Sequence, residues 1–200
     1  MKYNIPDVDL DCSEDTRSSI LTELYHITAS KINEKGIFPH NVGIYLHNIP
    51  EDRITNLASI DYKDAEEKFG YIKYDILHNT VYDMFKSRDE IEYYLKQDVN
   101  WNLLYKEDIL KQIPHINNYY TLLNQLPKIS SIEELSMFIA IIRPGKKYLI
   151  DDVKKYGWES IKDRIWLKET DGYMYKKSHA ISYSLLITLV MNKINTDIKI

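Results

Sequence analysis

The stretch that decides the fold is Pro6-Asp7-Val8-Asp9-Leu10-Asp11, which places a carboxylate at every second position. In an extended strand, residues two apart point to one face, so the aspartates share a face and Val8 and Leu10 are predicted to turn into a core. Like charges on one face repel unless a cation lies between them, and Mg²⁺ is held by carboxylates together with water and substrate phosphates. The stretch therefore predicts a strand that carries a metal site. The alternative is an acidic edge strand without a ligand.

A calcium-binding EF-hand loop also begins with alternating acidic residues, but the rest of that loop is missing. Counting from Asp7, the position that requires glycine is Cys12, and the position of the bidentate glutamate is Ser18. We therefore exclude a calcium loop of this type.

Composition limits the classes of protein that this chain can represent. The 200 residues are 44% hydrophobic and 28% charged, which predicts a folded chain with a sizeable core. A net charge of -4 gives no global basic surface, so any DNA contact must be local or shared with a partner. The single cysteine, Cys12, excludes an internal disulfide and a cysteine-based zinc site. The sequence contains no apolar run of membrane length and no apolar signal core at its start, which predicts a cytoplasmic protein.

The first part of the chain is predicted to mix one helix with short strands. Ser13 is a suitable N-cap, Glu14 and Asp15 favour the first turn, and apolar residues recur at helical spacing, so a helix is predicted over residues 14–33. After the breaks at Gly36 and Pro39, three strands are predicted, at 41–46, 53–62 and 69–77.

From Asp83 onward the patterns are helical. Helices are predicted within DEIEYYLKQ (89–97), YKEDILKQI (105–113) and NNYYTLLNQL (117–126). A capping box at Ser130 or Ser131 starts a further helix through Phe138 and Ile141, which Arg143-Pro144-Gly145 should end. A last helix is predicted over 180–193, with an apolar stripe formed by Ile181, Leu185, Leu189 and Val190. We therefore predict an α+β fold with a small mixed-sheet domain at residues 1–80 and a helical lobe at 81–200.

The strand at 69–77 presents a third carboxylate, Asp75, on the same face as Lys73. Together with Asp9 and Asp11, Asp75 makes a three-carboxylate arrangement suited to two-metal phosphoryl transfer. In that chemistry two Mg²⁺ ions about 3.5–4 Å apart activate an attacking 3′-hydroxyl and stabilise the leaving pyrophosphate.

Five segments in the same order resemble those of the C-family DNA polymerases, the family of the bacterial DNA polymerase III α subunit. "PDVDLDCSEDTRSSIL" resembles the family's P-D-x-D-x-D-F-S-x-x-x-R, and "NVGIYLHNIPEDRITNLASI" is similar to its N-V-G-x-H-A-G-G strand and the stretch after it. "FGYIKYDIL" is similar to G-L-V-K-F-D-[FI]-L-G. The segment from Ile109 to Gly145 follows the order of the finger block that ends A-L-x-R-P-G, and "GYMYKKSHAISYSLL" is similar to G-Y-x-F-x-K-S-H-A-x-x-Y-A-x-L.

The resemblance implies a palm of the polymerase β-like nucleotidyltransferase type followed by a helical fingers lobe. It makes Asp9 and Asp11 the paired catalytic ligands of two Mg²⁺ ions and Asp75 the third palm carboxylate, whereas Asp7 matches a position that is not a ligand. Lys73 would contact the incoming triphosphate or the primer end. The implied activity is that of a DNA-directed DNA polymerase that adds deoxynucleotides to a primer 3′ end.

In the second lobe the resemblance implies DNA or nucleotide contacts for four residues. Lys177, Ser178 and His179 match the K-S-H-A motif, and Arg143 matches the R-P-G turn. Each prediction has a structural alternative. Lys73 could be only the charge partner of Asp75, His179 could be structural, and Arg143 could satisfy carbonyl groups at a helix C-terminus. A basic cleft beside the aspartates is also expected, bordered by Lys73, Arg143, Lys146, Lys147, Lys176 and Lys177.

The chain departs from the family in ways that affect the expected activity. The Gly-Ser-rich phosphate loop that normally lies upstream is absent, and Asp75 follows Asp11 by only 64 positions, which is too few for the family's thumb. These departures predict a minimal, virus-type member or one piece of a polymerase split over several chains. The expected partners are primer-template DNA, deoxynucleoside triphosphates and another polymerase or replisome chain, with no membrane. Two alternatives are a non-catalytic replisome or DNA-binding protein and another nucleotidyltransferase on a similar palm.

Overall fold

The chain folds as a mixed α+β protein, which confirms the predicted fold class at that level. A computed structural model describes residues 8–169 and 175–199. The predicted positions Pro6 and Asp7 lie outside the described residues. The chain forms two compact units, Met1–Met84 and Phe85–Ile200.

The first unit contains a five-stranded mixed sheet. Its strands are β1 (Val8–Cys12), β2 (Ile27–Asn33), β3 (Gly36–Tyr45), β4 (Leu57–Asp61) and β5 (Tyr74–His78). They lie in the order β1-β5-β3-β2-β4. The pairs β1–β5 and β2–β4 are parallel, and β3 is antiparallel to both of its neighbours.

The predicted helix over 14–33 is wrong in its second half. Helix α1 spans Glu14–Glu23, and Leu24 has extended backbone angles that end it. The rest of the segment is β2, which pairs with both β3 and β4. Ile27 and Ala29 are buried in the core of this unit. Two hydrogen-bonded ladders and this burial outweigh the helical continuation that spacing alone favours.

The other three strand predictions were right in position but not in length. Strand β3 runs back through Pro39 to Gly36, so the predicted breaks at these two residues are wrong, whereas β4 and β5 are shorter than predicted. The Asp52 carboxylate accepts hydrogen bonds from the N–H groups of Ile54 and Thr55, and Asn56 has a positive φ of 56°, so this turn delays β4 until Leu57. A short helix that the prediction missed, α2 (Tyr62–Glu67), precedes β5. Gly70 follows it with a φ of +73°, a conformation that favours glycine.

The core of the first unit lies on one face of the sheet. It consists of Ile27, Ala29, Tyr45, Ile49, Ala58 and Ala65. Leu10, predicted to turn into a core, is instead 43% exposed. β1 is an edge strand, and α1 buries none of its residues, so this end of the sheet is poorly covered.

The regular secondary structure among the described residues of the second unit is helical. Its helices are α3 (Arg88–Leu95), α4 (Glu107–Leu110), α5 (Tyr120–Leu123), α6 (Ile132–Ile141), α7 (Ile150–Tyr156) and α8 (Lys177–Lys199), with 3₁₀ turns at Trp101–Tyr105, Pro144–Leu149 and Trp158–Ile161. No helix among the described residues is both long enough and apolar enough to cross a membrane.

Helix α6 is the centre of this unit and confirms the predicted capping. The Ser131 hydroxyl accepts from the N–H of Glu134, and the Glu134 carboxylate accepts from the N–H of Ser130. Every residue from Leu135 to Ile141 is buried. Helix α8 is longer than predicted, and its Leu185 is exposed whereas Leu189 and Val190 are buried.

Candidate functional site

A row of side chains crosses the sheet face that also carries the core of the first unit. In the parallel pairing of β1 with β5, Asp9 lies in register with Asp75. In the antiparallel pairing of β5 with β3, Asp75 lies in register with Gly43. Register partners point to the same face, and neighbouring strands lie about 4.8 Å apart. Asp9 and Asp75 therefore stand side by side, and Asp11 lies on the same face two residues further along β1.

The three aspartates differ in their surroundings. Asp9 and Asp11 are exposed, and Asp11 accepts a hydrogen bond of 3.4 Å from the side-chain amide of Asn79. The Asp75 side chain is only 20% exposed. Asp75 is therefore the one carboxylate of the three that the fold encloses.

Lys73 is the direct partner of Asp75. Its Nζ lies 2.7 Å from Asp75 Oδ1 and 3.8 Å from Oε1 of Glu66 on α2, and its side chain is 10% exposed. The same ammonium lies 5.9 Å from the centre of the Tyr62 ring. Lys73 thus forms ion pairs with two carboxylates in a partly buried setting. This is the role of a charge partner for Asp75, the structural alternative that the sequence analysis gave for Lys73.

His40 is a member of this cluster that sequence reasoning missed. The pairing of β2 with β3 shifts register between Thr28 and Ser30, and His40 lies in the extra length of β3. Its Nδ1 accepts a hydrogen bond of 2.9 Å from the Gly43 N–H and lies 3.9 Å from Asp75 Oδ1. No local pattern distinguishes this histidine, because its approach to Asp75 depends on the bulge.

His40 is neutral although it lies close to the Asp75 carboxylate. The separation from Asp75 would allow an ion pair, but a nitrogen that accepts from a backbone N–H carries no proton. Burial, and then the Lys73 ammonium, lower the pKa of His40, while Asp75 raises it by less. The neutral form, with its proton on Nε2, is the one that both observations support.

Gly43 makes room for this cluster. A Cβ at Gly43 would lie 2.7 Å from His40 Nδ1, 2.8 Å from Lys73 Cδ and 3.0 Å from Asp75 Oδ1. The space that a side chain would fill is taken by the imidazole, the lysine stem and the carboxylate. Any other residue at position 43 must displace part of the cluster.

Tyr45 brings a buried hydroxyl close to the same charges. Its side chain is fully buried, and its hydroxyl has no hydrogen-bond partner among the described residues. Burial raises the pKa of Tyr45, and the negative charges of Glu66, Asp61 and Asp75 raise it further. A neutral phenol therefore lies beside the carboxylates.

The donor set is chemically suited to Mg²⁺, because carboxylate oxygens are the ligands that this ion prefers. As placed, however, the described residues contain no group of three or more His, Cys, Asp or Glu side chains that could together hold a metal ion. Asp75 Oδ1 already has the Lys73 ammonium beside it, so a metal at this oxygen would compete with the ion pair.

The other four predicted site residues belong to the second unit. The Arg143 guanidinium lies 5.2 Å from the centre of the Tyr175 ring, and its Nε is buried without a partner among the described residues. Lys177 lies 4.0 Å from Glu133, and the Ser178 carbonyl accepts from the Ser182 hydroxyl.

The fourth, His179, is exposed and packs between two tyrosine rings of the same unit. Its ring centre lies 5.8 Å from that of Tyr175 and 4.6 Å from that of Tyr183. DNA contact by these four residues stays a prediction.

Lys146 does not border a surface cleft as predicted. Its side chain is fully buried, and its ammonium donates to the Leu167 carbonyl and to the Glu169 carboxylate. The 3₁₀ turn at Pro144–Leu149 carries this side chain inward, which the basic sequence Lys146-Lys147 does not reveal.

Comparisons with protein-family models, with curated proteins and with solved structures gave no match for this chain. The resemblance to the C-family polymerases therefore stays a prediction, carried by the motifs in the sequence.

Proposed function

We propose that this protein is the catalytic chain, or a catalytic fragment, of a DNA-directed DNA polymerase of the C-family type. In this proposal the sheet of the first unit is a polymerase β-like palm and the helical unit is a fingers lobe. The observation that carries the proposal is the register of Asp9 with Asp75 on neighbouring parallel strands, with Asp11 on the same face. Carboxylates gathered on one sheet face are the type of ligand that a two-metal nucleotidyl transfer uses.

In the proposed reaction Asp9, Asp11 and Asp75 would hold two Mg²⁺ ions. When bound, such ions lower the pKa of the primer 3′-hydroxyl and stabilise the charge on the leaving pyrophosphate. Lys73 would then move from Asp75 toward the incoming triphosphate, because its ammonium loses its attraction to a carboxylate that a metal neutralises. A partner chain would supply the phosphate-binding elements that the sequence lacks.

A second candidate function is a non-catalytic protein that binds DNA or a polymerase partner. The observation that favours it is the Lys73–Asp75 ion pair, which already neutralises the most enclosed of the three carboxylates. In that case Asp9 and Asp11 would repel the DNA backbone and would serve no chemistry.

Substitution of the β1 aspartates separates these functions. We expect Asp9→Asn or Asp11→Asn to reduce Mg²⁺-dependent primer extension by at least about 100-fold, because each change removes a ligand charge and leaves the shape nearly intact. Extension is measured with and without the product of a neighbouring gene, because a split enzyme needs its other chain. The matched control is Asp15→Asn, an exposed aspartate on α1, which should extend the primer as the wild type does.

The opposite results would count against catalysis. Equal incorporation by the wild type and both β1 variants would contradict a metal role for these carboxylates. Absence of extension under all conditions, together with DNA affinity that is unchanged or improved in the variants, would support the binding protein.

A further inference from the structure

We propose that the first unit contains a separate binding site for a single tetrahedral oxyanion of phosphate size. The site is a cavity of ≈ 130 Å³, partly open to solvent. Its polar lining residues are Arg17, His26, Thr28, His40 and Asn41. We call it the Arg17 pocket.

The Arg17 pocket is distinct from the carboxylate row. It is lined by Ile44 of β3 and Ile76 of β5, which alternate along their strands with Gly43 and Asp75. Alternate residues of a strand point to opposite faces, so these isoleucines belong to the sheet face opposite Asp75. His40 and Gly43 also line the Arg17 pocket, but the His40 imidazole approaches Asp75 on the other face.

The charge of the Arg17 pocket favours an anion. Its lining residues include a guanidinium and contain no aspartate or glutamate. Arg17 makes an ion pair with Glu14, but the separation is 3.6 Å and half of the Glu14 side chain is exposed. Such surface pairs contribute little, so Arg17 can turn its donors to a ligand at small cost.

Thr28 adds a neutral donor on the same face. It lies in register with Ile44, so its hydroxyl is on the sheet face of the Arg17 pocket, where it can donate to an anion. An arginine fork with a neutral O–H donor beside it matches an oxyanion that offers several acceptor oxygens.

The size of the cavity agrees with this ligand class. A cavity of about 150 Å³ holds a ligand of benzene size, so the Arg17 pocket has room for one group of about five heavy atoms. A phosphate group fits this space. A whole nucleoside does not, so a nucleotide would place only its phosphate in the Arg17 pocket.

The test is phosphate binding by the full chain, measured by isothermal titration calorimetry. The ligands are inorganic phosphate, adenosine monophosphate and, as the control without an oxyanion, adenosine. We expect saturable binding of inorganic phosphate, and at least tenfold weaker binding by Arg17→Gln, because hydrogen bonds assisted by charge are the strong ones. Arg17→Lys keeps the charge but loses the fork, so its affinity should lie between those of the wild type and Arg17→Gln.

A matched control is available within the same unit. Arg53→Gln makes the same change of charge at an exposed arginine outside the lining, and we expect it to change the affinity by less than about twofold. Thermal unfolding checks that each variant folds, and α1 buries none of its residues, so Arg17→Gln should not unfold the chain.

Tighter binding of adenosine monophosphate than of phosphate, lost in Arg17→Gln, would make a nucleotide the source of the oxyanion. Equal affinities would make free phosphate sufficient, and both results support the Arg17 pocket. The proposal is overturned if the wild type shows no saturable phosphate binding, if Arg53→Gln weakens binding as much as Arg17→Gln, or if adenosine binds as well as its monophosphate. None of these outcomes depends on polymerase activity.

Discussion

Buried Tyr45 and partly buried Tyr105 show how much a hydroxyl group depends on its partner. The Tyr45 hydroxyl has none among the described residues, whereas the Tyr105 hydroxyl accepts a hydrogen bond of 2.7 Å from the backbone N–H of buried Ile129. A buried polar group without a hydrogen bond costs free energy. Removal of one partner of a hydrogen bond therefore leaves the other partner unsatisfied, at the same kind of cost.

We therefore expect opposite effects from the same substitution at these positions. Tyr45→Phe should leave the free energy of unfolding unchanged or raise it by about 1 kcal/mol, because it removes an unsatisfied hydroxyl. Tyr105→Phe should lower it by about 1–2 kcal/mol, because the Ile129 N–H is left without a partner. Urea unfolding of each variant measures the difference. A loss of stability in Tyr45→Phe as large as that in Tyr105→Phe would show that the Tyr45 hydroxyl has a bound partner such as a water or a ligand.

His40 should make the stability of the protein depend on pH in the mildly acidic range. Its pKa is lowered by burial and by Lys73, so the unfolded chain binds a proton more readily than the folded chain does. Stability is then constant above the unfolded pKa of about 6.5 and falls as the pH drops from there toward the folded pKa. The slope should flatten in His40→Asn, which removes the titrating group.

Lys73→Met provides the control for this pH dependence. It removes the positive charge that lowers the pKa of His40, so the folded pKa should rise toward the unfolded one and the total loss of stability on acidification should be smaller than in the wild type. Free energies of unfolding between pH 5 and 7.5 measure both variants. A slope in His40→Asn as steep as in the wild type would assign the pH dependence to another group.

At the scale of single elements, the starts of α1 and α6 follow local chemistry, whereas the end of α1 does not. Ser13 and Ser131 both accept a hydrogen bond from the third residue of the following helix, as their sequences predict. The end of α1 at Glu23 lies before apolar residues that continue the helical spacing. The strand that follows is fixed by its ladders to β3 and β4, which no local pattern contains.

In strand β1, too, some features follow from the local sequence and others from the tertiary structure. Its alternation of aspartate with apolar residues predicts a strand with one acidic face, and β1 has this geometry beside β5. Leu10 is exposed because β1 lies at the edge of the sheet. Burial of an apolar side chain requires neighbouring elements that cover it, and the alternation of residues does not provide them. An acidic edge strand also resists pairing with a second chain.

At the scale of the whole molecule, each of the two units has a core of its own. The core of the second unit includes Phe138, Trp158 and Met191, and all three tryptophans of the chain, Trp101, Trp158 and Trp166, belong to this unit. Trp158 is buried and donates to the Pro127 carbonyl, so its fluorescence should report the packing of this core.

We expect a fragment that begins at Phe85 to fold without the first unit. Its buried core is large enough for a single cooperative transition in urea, followed by tryptophan fluorescence. Phe138→Ala in the same fragment should lower the free energy of unfolding by about 3–5 kcal/mol, because a fully buried ring leaves a cavity. A gradual fluorescence change without a transition would contradict an independent unit.

The sequence by itself determined the features that depend on near neighbours along the chain. Period-two alternation determined that Asp9 and Asp11 share one face of a strand, and the serine caps determined where α1 and α6 begin. The α+β class followed from the change from β to helical patterns near residue 80.

Only the tertiary structure decided what surrounds Asp75. Its neighbours His40, Gly43 and Glu66 come from β3 and α2, and their approach depends on a bulge, a missing Cβ and the packing of a helix on the sheet. The physical reason is that pairing and burial between distant segments outweigh local preference, as they do where the helical pattern after Glu23 becomes β2. Tertiary contacts within the second unit likewise decided the position of Lys146, which is fully buried with its ammonium beside Glu169, a placement that its basic neighbour along the chain does not reveal.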